Sequence, residues 1–273
     1  MTADLVPAPP RRSPLNWPLA LGLILVAAFV LPAIAALVWT PFGTTAGTPL
    51  AGPDATRWLG TDPLGRELVS LLMSSALSSL LLAWFAALVT LLLAVPTGIL
   101  LAVRLGREGP DLSLLALPAP ALAIGLVVSG LGAPGNLTVI LGVVLPGCVA
   151  VASAVARAFR PLWQRDYVTS ARLAGLSPVS AAQRHVLPRF LPVLLAIGLD
   201  LLAAALLVEV TLSFAGLGTL PPGASLGLVL RDGQQFLALR PLLVIAPGLV
   251  AIGTAIAFML VASGLRGGRD AAH

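Results

Sequence analysis

The sequence predicts an all-α membrane protein: a polytopic bundle of about six transmembrane helices, each needing about 20 apolar residues to span. Three observations carry this. The chain is 58% hydrophobic and only 10% charged. Soluble domains carry roughly 25% charge, so this chain cannot clothe a water-facing surface. Long apolar runs alternate with segments rich in Gly, Pro and polar residues, and most arginines fall into every second one of those segments. The 273 residues suit one polytopic domain rather than several soluble ones.

Residues 1–17 are proline-rich, carry Arg11 and Arg12, and read as a disordered tail. The apolar run from Pro18 to Thr40 outlasts the ~7–15-residue core of a secretory signal and reads as the first span, with Pro32 as a kink. A signal cleaved after Ala33-Ile34-Ala35 is the alternative. Residues 41–68 form a polar external segment, in which Asp62 is set to cap a short helix starting at Pro63. A second span is expected from Leu71 to Val103, with Pro96 and Gly98 near its end, then Arg104 and Arg107 in a short loop. The third runs from Leu112 to Leu131, past Pro118 and Pro120, into a turn at Gly132-Ala133-Pro134-Gly135. The fourth covers Leu137 to Ala156, the fifth Phe190 to Leu212 and the sixth Leu242 to Leu265. A basic loop, 157–189, separates the fourth from the fifth, and a polar external segment, 214–239, separates the fifth from the sixth. The whole is one transmembrane domain, 18–266, with a tail, 267–273.

Six spans return both termini to one side. That side holds Arg11, Arg12, Arg104, Arg107, Arg157, Arg160, Arg165, Arg172, Arg184, Arg189, Arg266 and Arg269, twelve of the 16, and the other only Arg57, Arg66, Arg231 and Arg240. By the positive-inside rule the first side is cytoplasmic. The net charge of +5 is then a topology signal rather than a nucleic-acid surface. All 16 basic residues are arginine. Without lysine there is no P-loop and no Schiff-base chemistry, so any ATP that drives this protein is hydrolysed by another chain. The single cysteine, Cys148, lies in an apolar run and reads as a small packing residue.

The basic loop contains Asp166 to Pro188, DYVTSARLAGLSPVSAAQRHVLP. It reads as two short helices joined by a turn. The first runs from Gln164 to Ala174, with Tyr167, Ala171 and Ala174 on one apolar face and Arg165, Thr169 and Arg172 on a polar one. Gly175 stops it in the left-handed position. Ser177 caps the second, Pro178 fits its first position, and Leu187-Pro188 ends it, since a residue before proline is pushed out of the α region. An ordinary cytosolic loop would have the same outline. The residues Asp166, Tyr167, Val168, Ala171, Arg172, Gly175, Ser177, Arg184, His185, Leu187 and Pro188, however, resemble the "EAA" loop of ABC importer permeases, in the form of the dipeptide/oligopeptide/nickel transport family. Thr169 stands at the namesake glutamate, and Ser170 at an alanine. Two further stretches resemble the same family: Leu59-Gly60-Thr61-Asp62-Pro63-Leu64-Gly65-Arg66-Glu67, and Glu209 to Gly218 followed by Pro221-Pro222. The family often continues P-S-W-G; here Ala224-Ser225-Leu226-Gly227 puts leucine at the tryptophan.

The resemblance implies a permease subunit with no catalytic residues. It forms the translocation path for a small solute of the peptide, nickel or metal-chelate class. Expected partners are a second permease in a heterodimer, two cytoplasmic ABC ATPases and an extracytoplasmic substrate-binding protein, all around a lipid bilayer. No cofactor is expected on this chain; ATP and Mg belong to the ATPases. Asp166, Tyr167, Ala171, Arg172, Gly175, Ser177, His185, Leu187 and Pro188 would form the coupling loop. Two carboxylates in the fifth span, Asp200 and Glu209, stand nine residues apart and so project to opposite faces at about 100° per residue. Asp200 reads as the deeper one, lining the path or pairing with another permease chain; Glu209 reads as interfacial. His185 has only His273 as a fellow histidine, so no metal cluster is expected. An ion-gradient-driven secondary transporter is the rival reading, and an intramembrane carboxylate pair is what it would use.

Overall fold

A computed structural model describes residues 16–39, 41, 47–55, 57–104, 118–132 and 134–270. Arg11, Arg12, Arg107, the expected start of the third span at 112–117, Ala133 and residues 271–273 lie outside the described residues. The helices are α1 (Trp17–Ala35), α2 (Leu68–Arg104), α3 (Pro118–Leu131), α4 (Asn136–Trp163), α5 (Asp166–Leu173), α6 (Pro178–Ala181), α7 (Leu187–Phe214), α8 (Leu226–Gly233) and α9 (Leu242–Asp270). Five helical stretches are long and apolar enough to cross a membrane, and α3 contributes a shorter apolar one.

Five of the six expected spans are present as membrane-length helices with shifted ends, and the described part of the third is the shorter α3. α1 starts at Trp17 and gives way after Ala35 to tight turns, in which Leu37 N–H bonds Ile34 O and Val38 N–H bonds Ala35 O. α2 and α4 outrun their apolar cores, because nothing at their ends breaks a helix once hydropathy falls. α2, with 37 residues, is about 55 Å long at 1.5 Å per residue. A hydrocarbon core is about 30 Å thick.

Lipid tails are as apolar as leucine, so helices in a membrane are held mainly by close packing of small residues. α2 shows this on one stripe: Ala83, Ala86, Ala87, Thr90, Ala94, Gly98 and Ala102 are all buried. α4 lies against that stripe, running parallel to α2. Gly98 meets Ala152 and Val155, and Gly147 meets Thr90. α1 and α9 pack antiparallel, with Gly22 at Val261, Gly264 at Leu19 and Gly253 at Phe29. Asn16 ties that end by donating to Gly264 O at 2.7 Å. α7 contacts α2, α4, α8 and α9. Its Leu206 and Leu212 are fully buried, and Gly125 and Gly142 make room for Leu212.

The polar segment before α2 is a hydrogen-bonded knot, and no helix starts at Pro63. Gly47 N–H bonds Gly65 O, Leu50 N–H bonds Asp62 O, and Thr61 N–H bonds Ala51 O. Asp62 instead closes a loop: Leu64 and Arg66 N–H both donate to its Oδ1, at 2.9 and 2.8 Å, and Arg66 Nε to Oδ2 at 2.7 Å. Gly65 lies at φ +78 against Gly47, where a side chain would fit neither the dihedral nor the space. The cap of α2 is Glu67, whose Oε2 accepts from Ser70 N–H at 2.7 Å.

Candidate functional site

Two regions gather the chemistry, one at each end of the bundle. At the arginine-rich end, α5 and α6 stand on a buried foot. Val168, Ala181 and Val186 are fully buried, as is Phe190, which meets Phe159 edge-on at 5.4 Å. Tyr167 is pinned from two sides: the His185 ring lies 6.3 Å away and the Arg189 guanidinium 4.6 Å above the phenol. The anchoring face is therefore Tyr167, Val168 and Ala171. Ala174 is exposed rather than part of it, because the helix ends there and the chain turns away.

The turn follows the expected punctuation. Gly175 takes φ +92, and Leu176 N–H reaches back to Ala171 O at 3.2 Å, the six-to-one bond of a Schellman turn. Ser177 accepts from Ser180 N–H at 3.2 Å and caps α6. Leu173, Ala174, Gly175 and Ser177 form the exposed tip, Asp166 is exposed at the start of α5, and Leu173 is 85% exposed despite being apolar. Arg172 lies in α5 with its side chain outside what is described. No helix break occurs at Leu187-Pro188. A π turn, Ala182–Val186, leads straight into α7, and Leu187 N–H bonds Ala182 O five residues back. Pro188 falls in the first turn of α7, where a missing amide costs nothing. Leu187 and Pro188 are exposed.

Asp200 and Glu209 are not brought together. Asp200 pairs with Arg266 of α9, and both side chains are nearly half exposed. Glu209 is not interfacial but wholly buried. Ser213 Oγ donates to its Oε1 at 2.8 Å, and the Ser79 and Ser225 hydroxyls face the same carboxyl, whose Oε2 has no partner within hydrogen-bond distance. Gly227 lets α8 lie directly on the α7 backbone at Val210 and Phe214. Leu226, at the family's tryptophan position, is 1% exposed and packs inward, so it offers nothing to the outer surface. Beside this clasp, a cleft of about 300 Å³ opens between the Asp62–Arg66 loop and α8, bounded by Leu71, Asp232 and Phe236. Ser79, Ser225 and Arg266 were not anticipated. A serine in an otherwise apolar span was the available sign for the first.

Among the described residues no three of His, Cys, Asp and Glu gather as a metal site. A family profile for the inner membrane component of binding-protein-dependent transport systems matches residues 112–267. This chain belongs to that family. The permease resembles the nickel transport system permease protein NikC of Escherichia coli K12, 29% identical over 261 residues, covering 92% of this chain and 93% of the relative. A putative peptide transport system permease protein of Brucella suis is 33% identical over 258 residues, covering 90% and 85%. The di/tripeptide transport system permease protein DppC of Pseudomonas aeruginosa is 31% identical over 226 residues, covering 81% and 74%. The chain is thus the multi-pass inner-membrane permease of an ABC importer, a transport subunit and not an enzyme. ATP hydrolysis belongs to partner ATPases. The ion-gradient alternative is not favoured, and its carboxylate pair does not exist as a pair.

Proposed function

We propose that this permease imports a solute of the peptide, nickel or metal-chelate class, delivered by an extracytoplasmic binding protein. It would do so as one half of a permease heterodimer over two ATPases that hold the ATP and Mg. The arginine count supports a cytoplasmic side for both termini and the α5–α6 loop. The observation that carries the coupling role is the exposed tip on a buried foot: Leu173 stands in solvent while Val168, Ala181 and Val186 fix the loop's base. An exposed leucine flanked by small residues fits an apolar groove on a partner. ATP binding closes the ATPases, moves this tip, and tilts α7 to open the path outward; hydrolysis resets it.

Co-purification in mild detergent tests this reading. The native chain should bring down a P-loop ATPase and a second permease. Leu173→Glu should lose most of the ATPase, because a buried charge replaces a buried leucine at the contact, while the second permease stays. Retention of both would move the contact elsewhere. Asp200 is proposed to line the path near its cytoplasmic end. Asparagine keeps the size of the side chain and can still accept a hydrogen bond from Arg266, so Asp200→Asn should leave the complex assembled. Uptake should fall several-fold, and the exchanged pair Asp200→Arg with Arg266→Asp should not restore it. Restoration by the exchange would reduce Asp200 to a tether.

A further inference from the structure

Glu209 lies beyond the coupling machinery, yet it is wholly buried and three serine hydroxyls surround its carboxyl. Three backbone N–H groups of the segment after α7 reach serine hydroxyls: Thr219 N–H donates to Ser213 Oγ at 3.1 Å, Leu226 N–H to Ser79 Oγ at 3.0 Å, and Leu228 N–H to Ser225 Oγ at 3.1 Å. A hydroxyl that accepts one bond still has its own proton to give. Ser213 gives it to Glu209 Oε1 at 2.8 Å, and Ser79 and Ser225 face the same carboxyl. One N–H to O–H chain, from Thr219 through Ser213, therefore ends on this carboxyl, and two more, from Leu226 and Leu228, end on serines that face it. α8 starts at Leu226, so its positive end also points at this group. Hydrogen bonds in a buried chain polarise and strengthen one another.

We propose that Glu209 is a positioning residue for transport. Through Ser79, Ser213 and Ser225 its carboxyl holds residues 218–233 seated in the extracytoplasmic mouth of the bundle until a docked binding protein favours opening. Close contact gives the seat its shape. A Cβ on Gly227 would come within 2.7 Å of Ser213 Cβ and 2.9 Å of Phe214 N. α8 therefore has no slack on α7 and can only lift as a unit. The inference rests on the proposed function for which side is outside and for the binding protein and ATPases that act on it.

The test uses the assembled importer in right-side-out vesicles. The lone cysteine is removed by Cys148→Ala and a reporter is placed by Val229→Cys, at a buried position on α8 outside the hydrogen-bond chains. Labelling by a membrane-impermeant maleimide should be slow with Glu209 and about tenfold faster or more with Glu209→Gln. ATP hydrolysis without binding protein should rise in the same variant, which a merely structural defect would not produce. Adding Ser79→Ala to Glu209→Gln should raise labelling no further. Unchanged labelling and unchanged basal hydrolysis in Glu209→Gln would overturn the proposal, and so would additive effects of the two substitutions. If Glu209→Gln does not accumulate, Ser79→Ala and Ser225→Ala carry the same reading, with faster labelling expected and unchanged labelling overturning it. An exposed reporter, Gln235→Cys, separates the two failures: labelling only from the inside would sink the orientation and leave the Glu209 chains untouched.

Discussion

Gly175→Val should abolish most uptake while leaving the importer assembled. A side chain there meets nothing within 4 Å, so the substitution neither overpacks nor unfolds the loop. The whole penalty lies in φ +92. The left-handed region costs an L-residue roughly 1–2 kcal/mol, and a β-branched one fares worst. At about 1.4 kcal/mol per factor of ten, the docked form of the loop should become scarcer by about tenfold or more. ATP hydrolysis should continue, with its stimulation by the binding protein lost, and Gly175→Ala should fall between. Uptake and hydrolysis measured together in proteoliposomes decide it: full, stimulated uptake in Gly175→Val would remove the loop from the coupling path.

Gly98→Val should act in the opposite way, through the amount of folded protein. Its Cβ would lie 2.6 Å from Ala152 O and 2.8 Å from Val155 Cβ, so a backbone rather than a flexible side-chain end must give way. α2 and α4 share the most extensive interface of the bundle. Overpacking a tight site costs about 1–3 kcal/mol and sometimes more. The several-fold loss of membrane-inserted chain should be visible by blotting. Gly130, on α3, has nothing within 4 Å, and Gly130→Ala should accumulate normally. Equal accumulation of the two variants would mean that α2 and α4 are not in backbone contact.

The two sites were legible to different depths. The turn at Gly175, Ser177 and Pro178 could be read because its causes are local: a residue without Cβ, a short hydroxyl and a missing amide, side by side. The same kind of reading failed at Leu187-Pro188, because the π turn at Ala182–Val186 absorbs the proline by rerouting one hydrogen bond. It failed again at Asp62, where glycines on either side close a loop and pass the capping role to Glu67. The helix α4 runs on to Trp163, past the expected span end at Ala156, since apolar content marks what faces lipid and not where a helix stops. Glu209 was placed at an interface by its distance along α7. Its burial comes from Ser79, on a helix 130 residues earlier, which no local pattern connects to it.

From Pro178 to Phe214 the backbone turns without a break, through the π turn and along α7. Arg189 grips Tyr167 at one end of that rod and Glu209 meets Ser213 near the other. Inserting a single residue between them would swing Glu209 by about 100° and advance it about 1.5 Å. Its carboxyl would keep Ser213, which turns with it, but would face away from the hydroxyls of Ser79 and Ser225. The number of residues from Arg189 to Glu209 is therefore a dimension of the machine. Side chains along the stretch can be exchanged, but a deletion or insertion that keeps every one of them would still put the two ends out of phase.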